Sequence, residues 1–219
     1  MVGNSSKDSE ISALRINYTK GELTENQISN DAFEQFNNWM TEAKNSDIRE
    51  PNAMVLATVK DHKPAARVVL LKGLDSEGFV FYTNYESHKG SEMAETPYAA
   101  LTFFWDILEK QVRIEGKVVK VSAAESDEYF WSRPKASQIG AWVSDQSTVI
   151  EGREALEEKN AALTKKFEDM EVVPRPPHWG GYRVIPERIE FWQGRTSRLH
   201  DRILYTKEGD GWKIERLSP

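Results

Sequence analysis

Residues 53–83 read AMVLATVKDHKPAARVVLLKGLDSEGFVFYT. Three runs rich in β-branched and aromatic residues, Ala53–Lys60, Ala65–Lys72 and Phe79–Thr83, alternate with the turn-forming stretches Asp61–Pro64 and Gly73–Gly78, the pattern of strands joined by tight turns. Connections this short join antiparallel neighbours. Further out, Tyr98–Asp106 and Lys110–Ser122 extend the meander, and Tyr182–Ile185, Arg188–Gln193, Asp201–Lys207 and Trp212–Leu217 add strand candidates near the C-terminus. At least eight short strands with few helices predict a mainly β (α+β) fold, an antiparallel barrel with helices packed outside it.

The helices are legible from their spacing. Ala32, Phe33, Phe36, Trp39, Met40 and Ala43 recur at helical intervals behind Asn30 or Asp31 as a cap. Ser87–Glu95 reads as a short helix led by His88 and Lys89, and Gly152–Met170 as an amphipathic surface helix. Ala123–Val143 is helical but broken at Pro134, with Ser126 or Asp127 as a cap. Residues 1–13 are expected to be a disordered tail. Residues 14–29 form a segment too patterned for a tail, either a loose arm or a mobile lid, and residues 30–219 a single domain.

Composition narrows the function. The chain has 219 residues and a net charge of -6, so it lacks the basic surplus of a nucleic-acid binder, and any anion site has to be local. It has no cysteine, which removes disulfides and thiolate chemistry and suits a reducing compartment. No apolar run approaches the roughly 20 residues of a membrane span, and MVGNSSKDSE has no signal-peptide core. A soluble cytoplasmic protein is the expectation. The four histidines, at 62, 88, 178 and 200, are not spaced with carboxylates as metal ligands would be.

Cationic and hydrogen-bonding residues gather in three places. Arg67 and Lys72 bracket an apolar strand; Tyr82-Thr83 closes the next; Ser87-His88-Lys89 opens a helix whose N–H groups, with a hydroxyl and two basic side chains, suit a phosphate. Gln111 and Gln146-Ser147 offer amides and a hydroxyl to a heterocycle edge, although a turn cap is the commoner role for the second pair. Tyr129, Arg133 and Ser137 form a second candidate anion site, with 129 and 133 one helical turn apart; a surface Tyr–Arg stack is the competing reading. In EFWQGRTSRLHDR, residues 190–202, an extended chain would turn Arg198, His200 and Arg202 to one side beside Trp192. A solvated hairpin with scattered arginines is the plainer alternative. Two phosphate-sized sites, an aromatic wall and no metal or nucleophile suit a flat phosphorylated cofactor, such as a flavin, stacked on a small phosphorylated substrate.

Taken together, RVVLLK, FYTN with SHKG, QVRIEGKV, SRPKASQIGAWVSDQS, HWGGYRV, IEFWQGRTSRLHDR and IERLSP resemble the pyridoxamine 5'-phosphate oxidase family from about Leu14 to Pro219. The resemblance implies an FMN-binding split barrel of Greek-key type, acting as a homodimer with each flavin site built from both chains. It implies that Arg67, Val68, Val69, Leu70, Leu71, Lys72, Tyr82, Thr83, His88, Lys89, Gln111, Gln146, Ser147, Trp192 and Arg202 hold FMN. Lys72, Tyr129, Arg133 and Ser137 would hold the substrate phosphate, Arg198 and His200 would face the reacting side as catalytic residues, and Arg15 and Tyr18 would belong to the lid. The implied reaction takes two electrons from C4' of pyridoxamine or pyridoxine 5'-phosphate and yields pyridoxal 5'-phosphate, with O2 as acceptor, hydrogen peroxide as by-product and ammonia from the amine. A split-barrel flavin reductase would need a nicotinamide site and leave the Tyr129, Arg133, Ser137 cluster idle; a vitamin B6 phosphate carrier would bind without turnover.

His88 stands where the family often has Arg. An imidazole has fewer donors than a guanidinium and loses its charge as pH rises, so weaker FMN retention is expected, worsening between pH 6 and pH 8. FMN titrations of the wild type and His88→Arg at both pH values test this, and equal affinities throughout would refute it.

Overall fold

The computed structural model describes residues 10–219; of the tail expected over residues 1–13, residues 1–9 lie outside the described residues and residues 10–13 are a helical turn rather than irregular chain. Nine strands form one antiparallel sheet: β1 (Ala53–Lys60), β2 (Lys63–Leu70), β3 (Gly73–Leu74), β4 (Phe79–Asn84), β5 (Tyr98–Trp105), β6 (Lys110–Lys120), β7 (Trp179–Gln193), β8 (Asp201–Glu208) and β9 (Gly211–Arg216). Their order is β2-β1-β5-β6-β7-β4-β3, with β8 paired to β7 and β9 to β8. Among the described residues, five helices of eight or more residues flank it: α1 (Ala32–Lys44), α2 (His88–Glu95), α3 (Ala123–Ser132), α4 (Lys135–Val143) and α5 (Arg153–Lys166). This is the expected antiparallel split barrel with helices outside.

The first hairpin turns more tightly than the sequence suggests. Asp61 and His62 both have positive φ, 50° and 60°, the two-residue turn whose twist matches that of the flanking strands. Lys63 and Pro64 therefore already belong to β2, which ends at Leu70 rather than Lys72.

The C-terminal reading needs a larger correction. Tyr182–Ile185 and Arg188–Gln193 are parts of one 15-residue strand, β7, which runs through Pro186. A proline lacks the N–H that a ladder needs, but the β6 partner shifts register at Glu115/Gly116, opposite Pro186. On its other edge β7 leaves β4 after Val184 and meets β8 at Arg188. The proline thus sits in the gap between two neighbours.

The core is built from the inward face of the strands. Leu56, Leu101, Phe103, Val112, Ile114, Ile189, Phe191, Ile203 and Tyr205 are fully buried, and α1 closes over them. Asp31 caps α1 by accepting from the Glu34 N–H at 2.9 Å, and the helix inserts Phe36 edge-on to Phe79 and Phe103, with ring centroids 4.9 and 5.1 Å away. The opposite face of β1, β2 and β5 is different: Val55, Val68 and Phe104 are exposed. Val55 pairs directly with Val68 and with Thr102, so these side chains share that face.

The helices also depart from the sequence reading. Ser122, rather than Ser126 or Asp127, caps α3, accepting from the Glu125 N–H. Ser126 is buried one turn on and accepts from the Gly181 N–H at 3.2 Å, while Asp127 pairs with Arg175. The segment 152–170 is helical only over Arg153–Lys166, none of whose side chains is fully buried; Phe167, just past its end, carries the packing. Among the described residues no helix is long and apolar enough to cross a membrane.

Phe36→Ala removes a fully buried ring from the junction of α1 and the barrel. It should cost about 3–5 kcal/mol, read as a lower urea midpoint at fixed protein concentration.

Candidate functional site

One hollow of about 410 Å³ opens between β2, β4 and α3, lined by Arg67 to Leu70, Lys72, Tyr82, Thr83, Lys89, Tyr129, Arg133, Gln146 and Trp179. A contiguous depression shares Tyr82, Thr83, Arg133, Gln146 and Trp179 with it and adds Ser137. Here β4 delivers Tyr82 and Thr83 and the start of α2 delivers Lys89. Ser87 caps α2, accepting from the Gly90 N–H, and its hydroxyl also accepts from the Lys89 ammonium.

Lys89 is the electrostatic centre of this hollow. Its Nζ donates to the Gln146 Oε1 at 3.0 Å and to the Thr83 and Ser87 hydroxyls at 3.3 Å. All three partners are neutral. Burial first and the nearby Arg67 charge second pull its pKa below the usual lysine range. Arg67 is itself held by Glu92, 2.8 Å away, and by Thr58. Burial opposes ionisation of Glu92, but hydrogen bonds from Thr58 and Arg67 prevail and hold its pKa below the usual carboxylate value.

Arg133 is another of the hollow's cations. Sequence spacing placed it on the helix with Tyr129, but it is the residue that ends α3, with φ -77° and ψ 149°. Pro134 disfavours helical dihedrals in the residue before it, and the arginine swings over Trp179, its Cζ 4.7 Å from the ring centre. Its Nη1 is buried with no hydrogen-bond partner, and burial lowers its pKa. A desolvated guanidinium N–H without an acceptor is costly, so the side chain is complementary to an anion. Beside it Tyr82 stacks on Tyr129 with centroids 3.9 Å apart and on Trp179 at 5.5 Å. Trp179 was not among the residues singled out from the sequence. The signal was the Gly180-Gly181 pair behind it: a Cβ at Gly181 would lie 2.8 Å from the Tyr82 ring, and one at Gly180 2.1 Å from the Tyr85 hydroxyl.

A second hollow, about 630 Å³, is lined by Leu14 to Tyr18, Trp192, Ser197, Arg198 and His200. Tyr18 lies edge-on to Trp192 at 5.6 Å and near His200 at 5.7 Å. The Arg195 N–H donates to His200 Nδ1 at 3.1 Å; Nδ1 is therefore the acceptor, and in the neutral ring Nε2 carries the proton. The extended geometry predicted for residues 198–202 does not form. Thr196–Arg198 is a 3₁₀ turn in which Ser197 and Arg198 have positive φ, so residue alternation is lost there.

Several expected residues lie off both hollows. Arg202 bonds to Glu190 at 2.7 Å and to the Ser218 carbonyl at 2.8 Å. Gln111 sits on the outer sheet face between Phe104 and Trp192. Leu71 packs on the core, His88 is exposed beside Glu92, and Ser147 is an exposed turn residue with φ 74°. The two hollows mark opposite ends of β7, Trp179 and Trp192, separated by roughly 40 Å of strand path at about 3.3 Å per residue.

A split antiparallel barrel thus carries an aromatic, cation-lined hollow at its edge, suited to a flat anionic cofactor. Comparison with known proteins agrees. The family model for pyridoxamine 5'-phosphate oxidase matches residues 40–166, and that for the pyridoxine 5'-phosphate oxidase C-terminal dimerisation region matches residues 179–219. A pyridoxine/pyridoxamine 5'-phosphate oxidase of Gloeothece citriformis is 59% identical over 214 residues, covering 97% of this chain and 100% of that one. Among solved structures, PhzG of Burkholderia lata, in complex with tetrahydrophenazine-1-carboxylic acid, superposes with a TM-score of 0.83 at 30% identity, covering 90% of this chain and 98% of that one. A Nostoc punctiforme pyridoxamine 5'-phosphate oxidase-related, FMN-binding protein shares the fold, with a TM-score of 0.68 at 16% identity, covering 88% of this chain and 100% of that one. The chain belongs to the pyridoxamine 5'-phosphate oxidase family.

Because the Lys89 pKa is lowered, the unfolded chain binds that proton more tightly, and its burial costs stability at neutral pH. The cost fades as pH rises from the lowered value to the ordinary lysine range. Lys89→Met should therefore leave the ligand-free protein as stable or more stable at pH 7, flatten that alkaline gain in the melting profile, and weaken FMN binding by about tenfold or more.

Proposed function

We propose that the protein is an FMN-dependent oxidase that converts pyridoxamine and pyridoxine 5'-phosphate to pyridoxal 5'-phosphate. The observation that carries this reading is the unpartnered, buried Nη1 of Arg133 in a depression continuous with the Lys89 cradle. Two anion holds in adjoining hollows suit one phosphate on a cofactor and another on a substrate. When bound, FMN would supply the two-electron chemistry at C4' of the substrate, with O2 as final acceptor and hydrogen peroxide as product; for the amine, water supplies the aldehyde oxygen and ammonia leaves.

In this reading Lys89, Thr83, Gln146 and the Arg67–Lys72 strand receive FMN, with Arg67 already oriented by Glu92. Arg133, Ser137, Tyr129 and Lys72 grip the substrate phosphate. Arg198 and His200 orient the reacting end: His200 presents its Nε2 proton to the substrate side, and Arg198, whose guanidinium offers donors and no acceptor, positions the reacting group. Orientation of this kind is worth about 7 kcal/mol or more in favourable cases. Residues 30–219 act as one catalytic domain, and residues 14–29 cover the substrate.

The half-sites at opposite ends of β7 support a homodimer in which the phosphate-binding hollow of one protomer meets the Arg198–His200 hollow of its partner. Val55, Val68 and Phe104, exposed on the face that also carries Gln111 and Trp192, give that partner an apolar surface to cover. Gln111, Trp192 and Arg202 then reach the flavin across the interface, and His88 and Ser147 border it.

Arg198→Ala should lower kcat/KM for pyridoxamine 5'-phosphate far more than it weakens FMN binding; equal losses refute its assignment. Co-expressing Arg133→Ala with Arg198→Ala gives mixed dimers with one doubly damaged and one intact site, so random pairing should restore about a quarter of wild-type activity. No recovery, with mixed dimers verified by mass, would place both residues in a site made by a single chain.

A further inference from the structure

We infer that Glu109 is a positioning residue for the substrate side of the site, a carboxylate latch that ties the N-terminal segment to the turn carrying Arg198 and His200. The proposal rests on the assignment of those two residues made above. Glu109 follows the 3₁₀ turn Asp106–Leu108 and is left-handed, φ 55° and ψ 36°. That conformation suits glycine or asparagine better than glutamate, so glutamate's contribution here is its side chain.

The side chain is buried, with 5% of the residue's surface exposed, and its bonds run to backbone rather than to a cation. Oε2 accepts the N–H groups of Thr19 at 2.7 Å and Lys20 at 2.9 Å. The same residue's carbonyl accepts the Gly194 N–H at 2.8 Å and the Gln193 side-chain amide at 3.1 Å. One residue therefore holds both the chain just after Tyr18 and the chain just after β7. Between them Tyr18 is pressed onto Gly194, where a Cβ would lie 2.7 Å from the Tyr18 ring, and against Trp192 and His200.

N-terminal to this point the chain lies on the surface: residues 11–17 are exposed, with Leu14 and Ile16 about four-fifths so. After it, Leu23 is buried and its N–H donates to Asp201 at 3.1 Å. The latch lies at the boundary between an exposed arm and a strapped-down segment, and so sets where any movement of the arm hinges. A carboxylate accepting two backbone N–H bonds is a strong, directional anchor. Its loss should free Tyr18 without disturbing the phosphate-binding hollow on the far side of the barrel.

The test uses the full-length holoenzyme with Glu109→Gly, which removes the carboxylate and relieves the left-handed backbone, and Glu109→Gln, which keeps an acceptor oxygen. In Glu109→Gly the Thr19 and Lys20 amides should exchange hydrogen about tenfold faster or more, with the unfolding midpoint unchanged. The KM for pyridoxamine 5'-phosphate should rise about tenfold while kcat and FMN affinity stay within about twofold, and Glu109→Gln should recover most of the loss. Unchanged exchange at Thr19 and Lys20 overturns the latch. Faster exchange with an unchanged KM, or equal losses in KM, kcat and melting midpoint, overturns the positioning role. A wild-type chain that oxidises no pyridoxamine 5'-phosphate sinks the functional assignment and the substrate role together, and is distinguished from failure of the latch because exchange is read without substrate.

Discussion

The pairing of β7 with three neighbours is the constraint on which the rest of the molecule depends. Along one edge it follows β6 from Gln193 to Tyr182; along the other it is shared, β4 taking the first half and β8 the second. A strand with two successive partners on one side must leave a gap, and that gap lets Pro186 sit inside a sheet that would otherwise reject it. It also splits the barrel. Trp179 is carried to one end with β4, the Tyr82 stack and Arg133, and Trp192 to the other with β8 and His200.

Electrostatics makes those two ends unlike. The chain is acidic overall, and most of its arginines are neutralised where they stand: Arg67 by Glu92, Arg113 and Arg202 by Glu190, Arg183 by Asp75 and Glu77, Arg216 by Glu25 and Asp201. Lys89 and Arg133 differ. They are partly desolvated, their pKa values are pushed down, and the groups around them are hydroxyls, an amide and aromatic faces. Such side chains cost stability until an anion arrives, which is why they, and not the more numerous paired arginines, are the proposed phosphate holds. The paired ones serve differently: a guanidinium already fixed by a carboxylate loses little freedom when it meets a ligand.

Much of this was legible in the sequence because it is local. Strand patterning gave 53–60 and, to within two residues, 98–105 and 110–120; helical spacing gave the helix after Asn30 or Asp31, of which the structure makes Asp31 the cap; Pro134 gave the break between two helices. Ser87-His88-Lys89 announced a helix start with a cation beside it. The family motifs identified Arg133, Ser137, Arg198 and His200 as site residues, and the structure divides them between two hollows, Arg133 with Ser137 and Arg198 with His200. Errors fell where a local rule had two outcomes. A proline between two strand-like runs reads as a break, and only the register shift in β6 turns it into a junction. Tyr129 and Arg133 are one turn apart by count, but Pro134 removes the second from the helix; the two converge for a reason that helix geometry does not supply.

Sequence by itself determined the strands, the helices, the absence of cysteine chemistry and the types of side chain available to hold anions, since each depends on neighbours along the chain or on composition. Tertiary structure decided which of those side chains remain unpartnered, that Trp179 and Gly181 complete the aromatic stack, and that Glu109 reaches 90 and 89 positions back to Thr19 and Lys20. It also decided that the cationic residues lie in two separate hollows. These are questions of distance between segments remote in sequence, and they are settled only when β7 chooses its neighbours.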